Sequence, residues 1–421
     1  MTPRRHLVAL VILVGLPAFA AADSTAEYPS ELPPMQQVRE AIESSPDVRA
    51  AAALERASLA ERRQLEVGPY EWTTRLDYQR RRADETPGVG RFNEWEVAIE
   101  RPLRLPEKAR LDQRLGEQRV AGASVALADA RRTASTRLLT LWYQWLRERD
   151  AAHVLRKEAA DSALAMAGIA RRAELGDASQ LDLLQAQAAA TQAEAAARLA
   201  SERAQRSELL IRELYPRIEP SADTALPAPA LPDTALADLA ERATQQDPGV
   251  RMARIAAQNS RLESERAAAE RRADPTVGLR YGTERGGNER MIGVYVSVPI
   301  GGEARRAAAD ASRAKADALE QLAEARLRST SGEILALRSA AASGISRWQV
   351  AEESAQAQAR VAERVARAHQ LGEASLAEVL LARRQMLEAS LSARNARVDA
   401  LESRALLLLG AGSLWNFDEK E

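Results

Sequence analysis

The chain contains no cysteine. That excludes disulfides, thiolate metal centres and lipid attachment through an N-terminal cysteine. Histidine is nearly as scarce. His6 lies in the first few residues, while His153 and His369 are far apart in sequence and read as solvated helix residues rather than ligands. Six scattered methionines do not make a thioether copper relay. Aromatic residues are 4% of the chain, too little bulk for one compact core of this length. No apolar run is long enough to cross a bilayer of roughly 30 Å as a helix. Acids and bases almost cancel, to a formal net charge of -1, so a nucleic-acid partner is not expected. There is no phosphate-binding glycine loop, no nucleophile–base set and no metal cluster. An enzyme is therefore not expected, nor is any cofactor or bound metal.

The opening segment, "MTPRRHLVALVILVGLPAFAAA", has two arginines, an apolar stretch and small residues at its end. It reads as a secretory leader over residues 1–22, cleaved near Ala20 to Ala22. The remainder of the chain is rich in alanine, arginine and glutamate, a composition that favours long helices packed along small-residue seams.

The same plan is written twice. "SSPDVRAAAALERASLAERR" from Ser44 matches "QDPGVRMARIAAQNSRLESER" from Gln246, each with a capping residue (Ser45, Asp247) before a proline (Pro46, Pro248) suited to a first helical turn. "VAIERPLRLPEKAR" ends its apolar run at Pro102, and "VYVSVPIGGEARR" at Pro299. "ELGDASQLD" is echoed by "QLGEASLAE". The offsets, from 44 to 246, 102 to 299 and 176 to 372, are 202, 197 and 196 residues. Three markers in register point to an internal duplication. The first repeat is 23–214 and the second 239–411, joined by a proline-rich connector over 215–238 and followed by a tail over 412–421.

Each repeat is expected to hold a helix, two strands, a long helix and a return helix. The proline-free runs 107–174 and 303–370 would each extend about 100 Å as helices. Return helices come after them, over 181–214 and 376–409. On the last, Leu380, Leu387, Leu391, Val398, Leu401, Ala405 and Leu408 form one three-four seam interrupted by Arg384 and Arg394. Gly176 and Gly372 can end the outgoing helices in a left-handed conformation. Ser179 with Asp182, and Ser375 with Glu378, have the spacing of a capping box. Structural capping alone would justify these residues.

Four segments alternate with period two instead: about 69–80, 91–102, 275–283 and 289–299. One face gathers Trp72, Leu76, Trp95, Val97, Ile99, Leu279, Tyr281, Val294 and Val296. Polar glycine-containing loops, "RRRADETPGVGR" and "ERGGNE", separate the strand partners. This is the pattern of membrane barrel strands. Two half-buried hairpins on a soluble coiled coil would share it, but would need apolar cover that the rest of the chain lacks. Four strands cannot close a barrel and open edges are not viable in lipid, so several chains must each donate four strands.

In this order and doubling the chain resembles the TolC-type outer-membrane efflux factors, across essentially the mature sequence. The length and the "ERPLRLPEKARL" opening of the first long helix resemble the CzcC-like heavy-metal-efflux branch. The resemblance implies a mainly α fold with a small membrane β part. It implies a homotrimer whose 12-stranded barrel, in outer-membrane lipid, continues into a 12-helix periplasmic tunnel. It also implies a passive exit duct for substrates, heavy-metal cations among them. These would be delivered by an inner-membrane pump of the RND type and a periplasmic adaptor. Leu175, Gly176, Ser179, Leu371, Gly372 and Ser375 match the adaptor-docking tips, and Asp182, Glu378 and Leu381 the periplasmic gate. The family's second acidic ring position is Leu381 here and its latching arginine falls at Ala374, so the resemblance does not carry over a charge-latched gate, and an apolar constriction around Leu381 is the alternative. The rival of a different class is a soluble periplasmic coiled-coil scaffold or adaptor.

Overall fold

A computed structural model describes residues 28–417 other than 86, 87, 222, 223, 231 and 233. The leader over 1–22, and the last four residues of the tail, lie outside the described residues. The first half runs α1 (Met35–Ser44), α2 (Pro46–Val67), β1 (Thr73–Glu85), β2 (Gly88–Pro102), α3 (Pro106–Glu174) and α4 (Gln180–Leu214). The second repeats that order: α5 (Leu236–Gln246), α6 (Pro248–Ala269), β3 (Thr276–Glu284), β4 (Glu289–Ser297), α7 (Glu303–Gln370) and α8 (Leu376–Gly410).

Where one helix was expected at the start of each half there are two. Pro46 and Pro248 push the residues before them out of helical geometry, to φ -58, ψ 135 at Ser45 and φ -57, ψ 117 at Asp247. The two junctions are capped differently. Asp247 accepts the Val250 amide at 2.9 Å, whereas Ser45 makes no side-chain cap, contrary to the sequence reading. The Ser45 amide instead closes α1 by donating to the Ile42 carbonyl.

With 69 and 68 residues, α3 and α7 each extend about 100 Å. Under the sheet, α2, α3, α6 and α7 lie abreast, in the order of the strands they join. Beyond α2 and α6, the return helices α4 and α8 run back along α3 and α7. Small residues let these helices approach: a Cβ at Gly344 of α7 would stand 3.2 Å from the Ala400 Cβ of α8. The buried face of α8 includes Leu376, Val379, Val398, Leu401, Ala405 and Leu407, so the expected seam is displaced in part toward its neighbours. Arg394 does not merely interrupt it, because both oxygens of the Asp150 carboxylate accept from it at 2.9 Å.

The scarce aromatic bulk is concentrated. Midway along α3, Trp142, Tyr143 and Trp145 are buried with Ile42, Ile211, Tyr215, Leu401 and Trp415, where α1, α4, α8 and the tail converge. Tyr143 donates to the buried Glu31 carboxylate at 3.0 Å and Trp142 to the Glu31 carbonyl at 2.7 Å. Burial pushes the Tyr143 hydroxyl well above the ordinary tyrosine range, with Glu31 adding to it.

The sheet is antiparallel in the order β1-β2-β3-β4, so β2 and β3 join the two halves. The first hairpin differs from expectation: β1 starts later and the ladder continues to Glu85↔Gly88, through a segment expected to be loop. Its polar composition signals contact with water, which a solvent-exposed strand satisfies as well as a loop does.

Candidate functional site

Register decides what each face of the sheet presents. Leu76 pairs with Val97, Val97 with Tyr281 and Tyr281 with Ile292; Ile99, Leu279 and Val294 form the next row. With Trp72, Trp95 and Val296 these make one continuous apolar face, and Trp95 meets Tyr281 edge to face at 5.7 Å. Nothing among the described residues covers it: Val294 is 80% exposed, Leu76 71% and Trp72 62%. An apolar face this bare is an interaction surface, not a core. All nine residues expected to face lipid are brought to it.

The opposite face is charged. Six acids (Asp77, Glu94, Glu96, Glu100, Glu284, Glu289) share it with Arg75, Arg81 and Arg280. Glu94 is 2% exposed and fully engaged, accepting from Arg81 at 2.9 Å and from Gln79 at 2.9 Å. Glu100 accepts the Tyr295 hydroxyl, and Glu96 lies 3.8 Å from Arg280.

Between sheet and helices lies a polar cluster that sequence reasoning missed. Lys108, fully buried, reaches Glu270 at 2.9 Å and Asp274 at 3.1 Å. Asp274 also accepts the Tyr70 hydroxyl at 3.0 Å and the Leu105 amide at 3.1 Å. Asp112 accepts from Arg104 at 3.1 Å and from Arg266 at 2.6 Å. Burial would raise the Asp274 carboxyl, but the Leu105 amide, Lys108 and Tyr70 outweigh it and hold it below the usual carboxylate range. The available signal was Lys108 in "LPEKARL"; its partners are more than 160 residues away and no local spacing reveals them.

At the far end both helix reversals have the same construction. Gly176 and Gly372 adopt φ of 85 and 80. The Asp177 amide donates to the Arg172 carbonyl at 2.8 Å, and that of Glu373 to Ala368 at 2.9 Å, closing each outgoing helix. Ser179 with Asp182, and Ser375 with Glu378, form complete capping boxes. Hydrogen bonds from the Ser375 amide and hydroxyl hold the Glu378 carboxyl below its ordinary range. Both acids expected at a gate are thus engaged within their own turns. Leu175, Leu371 and Leu381 are 62%, 70% and 56% exposed. Behind the turns, Ile169, Ala186 and Leu376 bury one small cluster that ties the two tips together. Among the described residues there is no group of metal-binding side chains and no helix long and apolar enough to cross a membrane.

No protein-family model matches the chain, and no curated protein does. Solved structures do. The CmeC outer membrane channel of Campylobacter jejuni is 15% identical with a TM-score of 0.73, over 91% of this chain and 86% of that one. The open state of the MtrE outer membrane channel of Neisseria gonorrhoeae is 14% identical with a TM-score of 0.70, over 92% and 90%. The outer membrane protein VceC of Vibrio cholerae is 17% identical with a TM-score of 0.68, over 90% and 95%. The chain therefore has the mostly helical, small-sheet fold of TolC-type channels along nearly its whole length.

Proposed function

We propose that the chain is one third of an exit duct through the outer membrane, the channel component of a tripartite efflux system. The observation that carries this reading is the sheet: four strands, apolar on one face and charged on the other, with β1 and β4 left as open edges. Lipid tolerates no open edge, so the edges must pair with further copies, and three chains supply twelve strands. The apolar face then meets lipid and the charged face lines the lumen. Below the sheet α2, α3, α6 and α7, and nearer the tips α3, α4, α7 and α8, continue each protomer's wall as helices into the periplasm.

Function in this reading is passive, with no chemistry at the wall and no enzyme activity. Acids outnumber arginines on the lumen face, which suits cations and agrees with the resemblance to the heavy-metal-efflux branch. Leu175, Gly176 and Ser179, with Leu371, Gly372 and Ser375, form the surface offered to a periplasmic adaptor coupled to an inner-membrane pump of the RND type. Because Asp182 and Glu378 serve their own caps, the constriction at the tips is apolar, centred on Leu381. The leader over residues 1–22 brings the chain to the periplasmic side.

Fractionation tests this. The protein should remain with outer membranes through high-salt and carbonate washing, and its deletion should sensitise cells to divalent metals. Release by carbonate would support the soluble scaffold instead.

A further inference from the structure

Immediately beneath the apolar face, α3, α6 and the start of α7 enclose an open cleft of about 980 Å³. Arg110, Arg114, Arg271, Arg272, Arg305 and Arg306 line it, with Glu107 and Glu265 as its acids. Strand alternation shows on which side the cleft opens. The apolar face carries the odd-numbered residues of β2 and the even-numbered ones of β4. Continued past the strand ends, that face carries Leu103, Val298 and Ile300, which are 45%, 57% and 97% exposed. Gly301 and Gly302, next after Ile300, line the cleft. Arg104 and Asp274 fall on the other side, with Asp112 and Lys108. The cleft is therefore on the outer side of the wall, at the foot of its apolar belt.

Arg305 donates to the Glu270 carbonyl at 2.9 Å and Arg306 lies 3.6 Å from Glu303; the other arginines are weakly committed. Arg114 to Glu265 is 3.4 Å and Arg272 to Glu107 is 3.5 Å, both exposed pairs of small value. Arg271 has no side-chain partner among the described residues. An outward cleft with a large arginine excess under exposed aliphatic side chains fits a ligand that is anionic at one end and apolar at the other. Guanidinium groups suit phosphate oxygens in a bidentate geometry.

We propose that this cleft binds the headgroup of an anionic phospholipid from the periplasmic leaflet, with the acyl chains lying against Leu103, Val298 and Ile300. The inference rests on the outer-membrane duct reading. The test titrates the full chain, purified in a maltoside detergent, with dihexanoyl phosphatidylglycerol, dihexanoyl phosphatidylcholine and inorganic phosphate, and counts bound lipid by native mass spectrometry. Phosphatidylglycerol should bind at least about tenfold more tightly than phosphatidylcholine. Arg110→Gln/Arg271→Gln/Arg306→Gln should abolish that preference, while Arg198→Gln/Arg364→Gln/Arg384→Gln, an equal charge change nearer the tips, should leave it intact. Equal binding of the two lipids, equal loss in both variants, or displacement by phosphate at the same concentration would overturn the proposal. If the cleft variant fails to fold, the preference of the unaltered chain decides alone. Outer-membrane fractionation of the same cells separates the two readings. Absence from the outer membrane sinks the duct and the lipid site together, whereas presence there without lipid preference sinks the lipid site alone.

Discussion

Lys108 joins the two halves at the point where sheet becomes helix. It is fully buried, with Glu270 and Asp274 as its carboxylate partners. Lys108→Met would keep the volume and leave Asp274 without its cation, while Glu270 would keep only Arg266. Thermal unfolding should show a loss on the order of 3 kcal/mol; an unchanged midpoint would mean that the cluster does not hold the junction. The same cluster sets a pH dependence. Asp274 and Glu270 are held below their ordinary values although burial alone would raise both. A carboxyl lowered by folding stabilises fully above about pH 5, and most of that contribution is lost below about pH 4, as pH falls through the lowered folded value. The melting temperature should therefore fall mainly below about pH 4, and Asp274→Asn should flatten the drop; an identical slope in the variant would show that Asp274 has no part in it. On the sheet, Val294→Lys would place a charge against lipid at about 2–4 kcal/mol near mid-bilayer. It should prevent assembly, read as loss of heat-stable oligomer in outer membranes, while Thr73→Lys on the charged face should assemble. Normal assembly of the first variant would reverse the assignment of faces.

Among the elements, the helix reversals were the most legible, because everything that makes them lies within nine residues. A glycine past the last turn, then serine and an acid three positions on, specify a local geometry that packing does not need to complete. Replacing Ser375 by alanine should cost about 1 kcal/mol, seen as faster amide exchange in the first turn of α8; unchanged exchange would make the box incidental. The other elements show where local signals stop. Ser45 and Asp247 hold matching positions, yet the aspartate alone caps through its side chain, while the serine amide closes the preceding helix. In the first hairpin, polar side chains marked a loop, but cross-strand backbone pairing carries the ladder to Glu85↔Gly88. Period two in the strands identified the apolar face correctly because alternation is a property of the backbone itself. The Lys108 cluster and the arginine cleft were not legible, since each is assembled from segments in both halves of the chain.

At the scale of the whole molecule, the chain exposes 27430 Å², whereas a compact protein of its mass would expose roughly 16,000 Å². A wall of long helices one layer thick cannot hide its side chains, and Leu54, Leu164, Leu184, Leu209 and Val350 all stand more than 60% exposed along it. Such surface calls for neighbours, and in the proposed ring they join at the open strands β1 and β4. Closure into a ring satisfies the strand edges, the helix flanks and the apolar belt together. The most direct test is the mass of the particle extracted from outer membranes in mild detergent, measured by native mass spectrometry. Three copies of the chain, dissociating only when the sheet is disrupted, are expected. A single copy, with Val294 and Leu76 shielded by the chain's own helices in hydrogen–deuterium or oxidative footprinting, would contradict the ring.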